Sequence, residues 1–312
     1  MIGFFIFNTL TAVSASVFLT LAARFLAGAA AGLAWGLIAG YARQMVPAHL
    51  QGKAMSLAMV GTPLALCLGV PLGTWLGSLL GWRLAFGGMS LLTLALIVWI
   101  LLRVPDYPGQ PAGQRKPLGQ VFRLPGVRSI LLVLTIWVLA HNLLYTYIVP
   151  MLQPAGLAVR ADGVLLVFGC SALMGIWLTG LVVDRWLRRA VLLSIGGFAL
   201  AALGLALAMV CAPMVIISIG LWGLTFGGAA TLLQTALADA AGPDGNVAQA
   251  MLVVAWNLAI AGGGLVGGLL LQTPGIQVFP WIALLLLLVS GLIAWRAQPH
   301  GIKPGARASS VR

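Results

Sequence analysis

Residues 163–210 read GVLLVFGCSALMGIWLTGLVV (163–183), DRWLRR (184–189) and AVLLSIGGFALAALGLALAMV (190–210). The first and third segments carry no charged residue, whereas the six residues between them include one aspartate and three arginines. An α-helix rises 1.5 Å per residue, so about 20 apolar residues cross ~30 Å of bilayer hydrocarbon. The stretch therefore predicts two membrane-spanning helices joined by a short basic turn.

The composition of the whole chain also indicates that lipid surrounds it. Of its 312 residues, 61% are hydrophobic and 7% are charged, and the mean hydropathy is +1.08. A soluble domain is about 25% charged, so this chain cannot cover a water-facing surface. Its apolar runs are long and unbroken, which favours helices over the alternating strands of a membrane barrel. The three cysteines show neither a disulfide framework nor metal-ligand spacing, and no cofactor is expected.

Ten apolar segments of this kind follow one another along the chain. We predict membrane spans at residues 2–21, 25–42, 54–80, 84–102, 130–152, 163–183, 190–210, 214–238, 247–271 and 278–294. The predicted organisation is an N-terminal helical half (1–103), a cytoplasmic central loop (104–128), a C-terminal six-helix half (129–296) and a cytoplasmic tail (297–312). The fold class is an all-α integral membrane bundle with four spans followed by six.

The positive charges predict the orientation of these spans. With the N-terminus inside, fourteen of the seventeen Lys and Arg residues fall on the cytoplasmic side, and Arg24, Arg83 and Arg160 fall outside. Short cytoplasmic loops are enriched in Lys and Arg, so both termini are expected in the cytoplasm. The net charge of +12 is thereby explained by topology, and no nucleic-acid partner is expected.

Glycines recur at helical spacing in the second and third predicted spans. Small residues on one helix face allow a neighbouring backbone to approach closely, so these rows favour a tightly packed helix pair. Pro71 interrupts the second row and is expected to bend its helix. The rows consist of Gly28, Gly32, Gly36 and Gly40, and of Gly61, Gly69, Gly73 and Gly77.

Four short motifs, in this order, resemble the major facilitator superfamily. LAARFLAG (21–28) is similar to its fourth-helix motif, and GVPLG (69–73) resembles the fifth-helix signature of its proton antiporters. GWR (81–83) follows that helix, as is typical of the group. GLVVDRWLRR (180–189) resembles the inner-loop motif between the eighth and ninth helices, with Leu187 where the motif commonly has Gly. The segments TYIVP (146–150) and WGLTF (222–226) resemble the arabinose-efflux branch of drug:proton antiporters, which includes purine ribonucleoside efflux pumps.

The resemblance implies a secondary transporter that works by alternating access. It covers family helices three to twelve, so the four-plus-six arrangement is expected to reflect the absence of two preceding helices. Residues at the matching motif positions are expected to serve conformational change. The inner-loop residues among them are expected to form a latch or, more plainly, a topology anchor. The complete set of motif residues is Gly28, Gly69, Pro71, Gly73, Gly180, Asp184, Arg185, Arg188 and Arg189.

Polar side chains inside the membrane are costly, so they are candidates for substrate binding or ion coupling. Arg24 fits either a functional role or an anchor that reaches the interface. His141, whose unperturbed pKa is ~6.5, could bind substrate or a proton, although an inter-helix hydrogen bond is the plainer interpretation. Aromatic and amide side chains suit a neutral, moderately polar substrate. The complete candidate set is Arg24, His141, Asn142, Tyr145, Tyr147, Gln234, Trp256 and Asn257.

The chain has five acidic residues, all aspartates, and each maps to a loop or helix end. A proton-driven exporter needs a titrating group in its cavity, so either His141 serves or the group precedes Met1. We therefore predict proton-coupled efflux of a small organic solute by a multi-pass protein of the inner membrane. A non-transporting fragment or partner subunit is the alternative. A membrane enzyme is less favoured because the three histidines are scattered, and no phosphate-binding glycine loop indicates ATP use.

Overall fold

The computed structural model describes residues 1–46, 61–105, 117–272, 275–297 and 302. Regular structure in these ranges is helical, without a β-strand. Seven helical segments in the described ranges are long and apolar enough to cross a bilayer. The predicted all-α membrane architecture is confirmed. The chain divides into two compact units, Met1–Arg115 and Lys116–Arg312.

The first unit is built around two long helices and a short one. The short helix α1 packs against both α2 and α5, and α4 packs against α5. The elements are α1 (Ile2–Val13), α2 (Val17–Gln44), α3 (Gly61–Leu64), a π-helical turn (Ala65–Gly69), α4 (Val70–Leu80) and α5 (Trp82–Arg103).

The break between the first two helices lies eight residues earlier than the hydropathy pattern predicts. α1 ends at Val13, and α2 begins at Val17, so the predicted boundary at 22–24 is wrong. The cause is local capping. The Ser16 side chain accepts a hydrogen bond from the Leu19 amide at 3.4 Å, and the Ser16 amide donates to Ser14 Oγ at 3.2 Å. Small hydroxyl side chains satisfy free helix-end groups and stop a helix inside an apolar run.

The third predicted span changes its helical form just before Pro71. A π-helical turn at Ala65–Gly69 precedes α4, which starts at Val70. Because proline lacks an amide hydrogen, it cannot donate to the carbonyl of the preceding turn, and a π turn accommodates that missing bond. Gly81, with φ +84°, then ends α4 and begins α5 at the GWR signature.

Four glycines of the rows in the first unit have no close neighbour among the described residues. No described atom lies within 4 Å of where a Cβ would stand at Gly28, Gly61, Gly73 or Gly77. The expected packing of helices through these glycines is therefore not seen at these positions. Residues 47–60, which include the start of the third predicted span, lie outside the described residues.

The second unit consists of a continuous helical bundle. Its longer helices correspond to predicted spans five to ten. The elements are α6 (Leu118–Phe122), α7 (Val127–Thr146), α8 (Ile148–Leu152), α9 (Ala161–Leu207), α10 (Ala212–Gly227), α11 (Ala229–Ala241), α12 (Gly245–Gln272) and α13 (Phe279–Arg296), with short 3-10 turns at Gln153–Ala155, Ala158–Arg160, Gly242–Asp244 and Ile276–Val278.

The two spans predicted from 163–183 and 190–210 are two helices that follow each other within the element α9 and meet at a break in the helical geometry. Trp186 breaks the helical geometry with φ −134° and ψ 37°. It lies within the DRWLRR segment, where the sequence analysis placed a turn. The basic segment therefore contains the junction between the two predicted helices.

Both halves of α9 pack against α10 through glycines. In the first half, a Cβ at Gly175 would overlap the Leu224 carbonyl oxygen. On the opposing helix, a Cβ at Gly223 would overlap the Phe168 carbonyl. In the second half, a Cβ at Gly204 would lie 2.5 Å from Ser218 Oγ. Lipid tails give helices no hydrophobic reason to associate, so this backbone proximity contributes the dispersion energy that holds them together.

This packing predicts a difference between two glycines of the second unit. Gly223→Ala should destabilise the protein by about 1–3 kcal/mol, because its methyl group meets a backbone carbonyl that cannot rotate away. Gly196→Ala is the matched control, since no atom of the described residues lies within 4 Å of its Cβ position. Thermal unfolding in detergent should show a lower midpoint for Gly223→Ala alone. Equal midpoints for both variants would contradict the close contact.

Candidate functional site

Arg24 lies about two turns into α2 and is held by two side chains of the first unit. Its Nη1 donates to Asn8 Oδ1 at 2.8 Å, and its guanidinium carbon lies 4.8 Å from the centroid of the Phe86 ring. Asn8 is fully buried, and its Nδ2 donates to the Phe4 carbonyl at 2.9 Å. That bond directs the amide oxygen toward Arg24. We call Asn8, Arg24 and Phe86 the arginine site.

Asn8 and Phe86 were missed by the sequence analysis. Asn8 carried a usable signal, because an amide in an apolar run needs a polar partner. Its pairing with Arg24 depended on the α1–α2 boundary, which was placed too late. Phe86 gave no signal, since an aromatic residue in a membrane helix is ordinary.

His141 lies at the centre of an aromatic cluster in the second unit. Its ring stacks on Phe226 with centroids 3.7 Å apart and on Tyr145 at 5.1 Å. Trp222 Nε1 donates to His141 Nδ1 at 3.1 Å, and Phe168 closes a further side at 5.8 Å. The five residues, His141, Tyr145, Phe168, Trp222 and Phe226, are here called the histidine cluster. They join α7, α9 and α10.

The hydrogen bond from Trp222 defines the chemical state of His141. A nitrogen that accepts a hydrogen bond carries no hydrogen, so the neutral imidazole holds its proton on Nε2. A second proton would have to enter at Nδ1 and displace the Trp222 donor. The side chain is 7% exposed. These contacts match the plainer of the two interpretations, an inter-helix hydrogen bond in a packed core.

Two of the candidate amides are bonded within their own helices. Asn142 Nδ2 donates to the Val138 carbonyl at 2.9 Å. Asn257 Nδ2 donates to the Val253 carbonyl at 2.8 Å, and its side chain is exposed. Each bond uses one amide N–H within its own helix, and neither bond brings the side chain into the histidine cluster.

Tyr147 and Gln234 lie at contacts with α12, and Trp256 lies on α12 itself. The Tyr147 hydroxyl donates to the Gly264 carbonyl at 2.7 Å. Gln249 on α12 donates to the backbone carbonyl of Gln234 at 2.8 Å. The Trp256 ring lies 6.3 Å from Phe226, at the edge of the histidine cluster. Of the eight candidates, the structure therefore brings His141 and Tyr145 together and leaves the others at separate contacts.

The inner-loop motif binds the end of the last helix. Arg188 donates to the carbonyls of Trp295 at 2.8 Å, Ile302 at 3.3 Å and Ala294 at 3.4 Å. The last carbonyls of a helix lack partners and carry partial negative charge, so a guanidinium stabilises them. Ile302 is 1% exposed. The rest of the predicted tail, apart from Ala297, lies outside the described residues.

The other motif residues lie around this contact. Arg185 and Arg189 are exposed, and so is Asp184. A Cβ at Gly180 would meet no atom within 4 Å. Leu187, where the motif commonly has Gly, is buried. Among the described residues, no group of three or more His, Cys, Asp or Glu side chains is arranged to hold a metal ion.

Comparison with known proteins assigns the family. The model of the Major Facilitator Superfamily matches residues 1–251. The chain belongs to the Major Facilitator Superfamily. Members of this superfamily are transporters, so the protein is a multi-pass membrane transporter and not an enzyme. The resemblance inferred from the four motifs is confirmed.

Relatives and solved structures agree with that assignment. The purine ribonucleoside efflux pump NepI of Shigella dysenteriae is 30% identical over 290 residues, which are 88% of this chain and 70% of that protein. NepI of Escherichia coli K12 is 30% identical over 291 residues, with the same coverage. The proton:xylose symporter XylE shares the fold with a TM-score of 0.71 at 18% identity, covering 98% of this chain and 80% of XylE. The human organic anion transporter MFSD10 shares the fold with a TM-score of 0.68 at 19% identity, covering 94% of this chain and 75% of MFSD10.

A double-mutant cycle tests the His141–Trp222 hydrogen bond. Trp222→Phe removes the donor and leaves a buried acceptor, which should cost about 1–3 kcal/mol. His141→Phe removes the acceptor, and the double variant should be less destabilised than the sum of the two, because each change removes the same bond. Thermal unfolding in detergent measures all three. Strict additivity would contradict a contribution from this bond.

Limited proteolysis tests the Arg188 contact. Arg188→Ala should expose the segment after α13, because three carbonyls lose their shared donor, and cleavage there should be several-fold faster. Arg185→Ala is the matched control, since its exposed side chain belongs to the same basic segment. Unchanged cleavage in Arg188→Ala would show that the contact does not hold this segment.

Proposed function

We propose that this transporter exports a purine ribonucleoside across the inner membrane in exchange for protons, by alternating access. The observation that carries the proposal is the 30% identity to the purine ribonucleoside efflux pump NepI over 88% of the chain. At this coverage the similarity extends through both compact units. We further propose that both termini lie in the cytoplasm, as the distribution of Lys and Arg favours.

The energy source is proposed to be an ion gradient. The sequence has no phosphate-binding loop of the kind that nucleotide-driven pumps use. Branch-typical segments such as WGLTF (222–226) favour protons as the exchanged ion. We propose that His141 remains neutral during transport, because its Nδ1 accepts from Trp222 and its ring is stacked on both faces.

The aromatic character of the second unit supports a planar heterocyclic solute. Purine rings stack on aromatic side chains with about 1–3 kcal/mol per base. Tyr145 and Trp256 are the half-buried aromatic residues at the edge of the histidine cluster. They are the side chains of this unit that we propose to contact the solute.

Proteoliposomes provide the test. Vesicles with an acidic interior and an alkaline exterior should accumulate radiolabelled inosine, since protons that leave drive the solute inward. Nigericin in symmetric potassium chloride should abolish the accumulation by collapsing the pH gradient. His141→Asn keeps an acceptor for Trp222 and should retain gradient-driven accumulation.

Three results would count against the proposal. Uptake that ignores the pH gradient would exclude proton coupling. The absence of any uptake above protein-free vesicles would favour a non-transporting partner. Loss of gradient dependence in His141→Asn, with uptake retained, would identify His141 as the proton acceptor.

A further inference from the structure

Tyr147 lies at the break between α7 and α8 and is bound there to α12. Its hydroxyl donates to the Gly264 carbonyl at 2.7 Å. A Cβ at Gly267 would overlap the Tyr147 ring, and a Cβ at Gly268 would lie 3.1 Å from the hydroxyl oxygen. Phe279 of α13 makes a T-shaped contact with the ring, with centroids 5.3 Å apart. The ring therefore fits against α12 because glycines face it. We call Tyr147, Gly264 and Gly267 the tyrosine contact.

A second close approach, one turn earlier, fixes the register of α7 against α12. A Cβ at Gly263 would lie 2.7 Å from the Cβ of Asn142 and 2.9 Å from the amide nitrogen of Leu143. Gly263 and Gly267 are both buried, and a spacing of four places them on one face of α12. Small residues on one face let two helix backbones approach closely in a bilayer. The two helices therefore fit together at this register.

The same face of α12 carries Trp256. Seven residues, about two helical turns, separate Trp256 from Gly263, so the two lie on the same side of the helix. The Trp256 ring lies 6.3 Å from Phe226, at the edge of the histidine cluster. The face of α12 that binds Tyr147 therefore also carries one of the two aromatic residues proposed to contact the solute.

The other proposed solute contact, Tyr145, is linked to Tyr147 through the backbone. The Tyr147 amide donates to the Tyr145 carbonyl. Side chains two residues apart on a helix do not face each other, and these two point to different neighbours. Tyr145 stacks on His141 at 5.1 Å and contacts Phe168 of α9 at 5.3 Å, whereas Tyr147 contacts α12 and α13. The end of α7 is thus held from two sides, and Tyr147 joins it to α12.

We propose that Tyr147 is a positioning residue that sets the spacing of Tyr145 and Trp256 for a planar heterocyclic solute. This inference rests on the proposed transport of purine ribonucleosides, in which those two aromatic residues contact the solute. Tyr147 faces α12 and α13, so it acts through the two rings. A base gains stacking energy from each aromatic side chain that it meets. The tyrosine contact fixes both rings before the solute arrives, which reduces the entropy lost on binding.

Inosine uptake into proteoliposomes tests this role, with KM as the readout. A folding defect lowers the amount of active protein and hence the maximal rate, whereas KM describes the molecules that work. Tyr147→Phe keeps the ring and removes the hydroxyl, so KM should rise about threefold to tenfold, the range that one hydrogen bond contributes. Gly267→Ala displaces the ring and should raise KM as well. Gly264→Ala is the matched control and should leave KM unchanged, because it keeps the carbonyl and no atom of the described residues lies within 4 Å of its Cβ position.

A Tyr145→Leu background separates positioning from a purely structural role. With one of the two aromatic contacts removed, their spacing no longer affects binding. Adding Tyr147→Phe should therefore leave KM within about twofold of the value for Tyr145→Leu alone, because the two changes act on the same contact. A structural brace that acts independently of Tyr145 would raise KM by the same factor in both backgrounds.

The outcomes distinguish this inference from the proposal it rests on. If the wild type transports no inosine, the proposed function is wrong and the inference falls with it. If the wild type transports inosine and Tyr147→Phe leaves KM unchanged, the function stands and the inference is overturned. An equal rise of KM with and without the Tyr145 ring also overturns it, and so does a rise in Gly264→Ala as large as that in Gly267→Ala.

Discussion

A polar group in the hydrocarbon core of a bilayer is costly unless a partner within the protein satisfies it, because hydrocarbon offers none. This constraint explains many of the side-chain hydrogen bonds among the described residues. Hydroxyl groups such as those of Thr11, Thr93 and Thr135 donate to carbonyls four residues earlier in their own helices. Such bonds satisfy a polar side chain without linking one helix to another. They are compatible with the sliding and tilting of whole helices that the proposed alternating-access transport requires.

The polar contacts between helices are fewer and more informative. Asn8 bonds to its own helix and to Arg24 on the next one, whereas Asn142 and Asn257 bond within their own helices. His141 and Trp222 join α7 to α10 inside an aromatic core. One intramembrane cation, Arg24, therefore retains unused donors among the described residues, while the histidine is enclosed on both faces. The two ionisable candidates of the predicted spans, Arg24 and His141, therefore have different surroundings.

Hydropathy predicts the helical architecture because the bilayer fixes the length of each apolar run, and the basic segments indicate where spans meet. Two features escaped that reasoning for physical reasons. Ser14 and Ser16 end a helix through short-range capping, which an average over 20 residues does not register. The close glycine contacts of Gly175 and Gly223 depend on which helices become neighbours, and spacing along one helix cannot specify that. Family motifs identified the transporter class, but the Asn8–Arg24 pair required the fold, since sixteen residues and a helix break separate its members.

The central claim is the proposal that His141 is a packing residue that stays neutral during transport, enclosed by its aromatic neighbours. Equilibrium binding of tritiated inosine to detergent-purified protein over a range of pH tests it directly, with the wild type and His141→Asn compared at a temperature where both remain folded. The account predicts that the two proteins bind inosine with the same pH dependence. A pH dependence of binding that is lost in His141→Asn would contradict it.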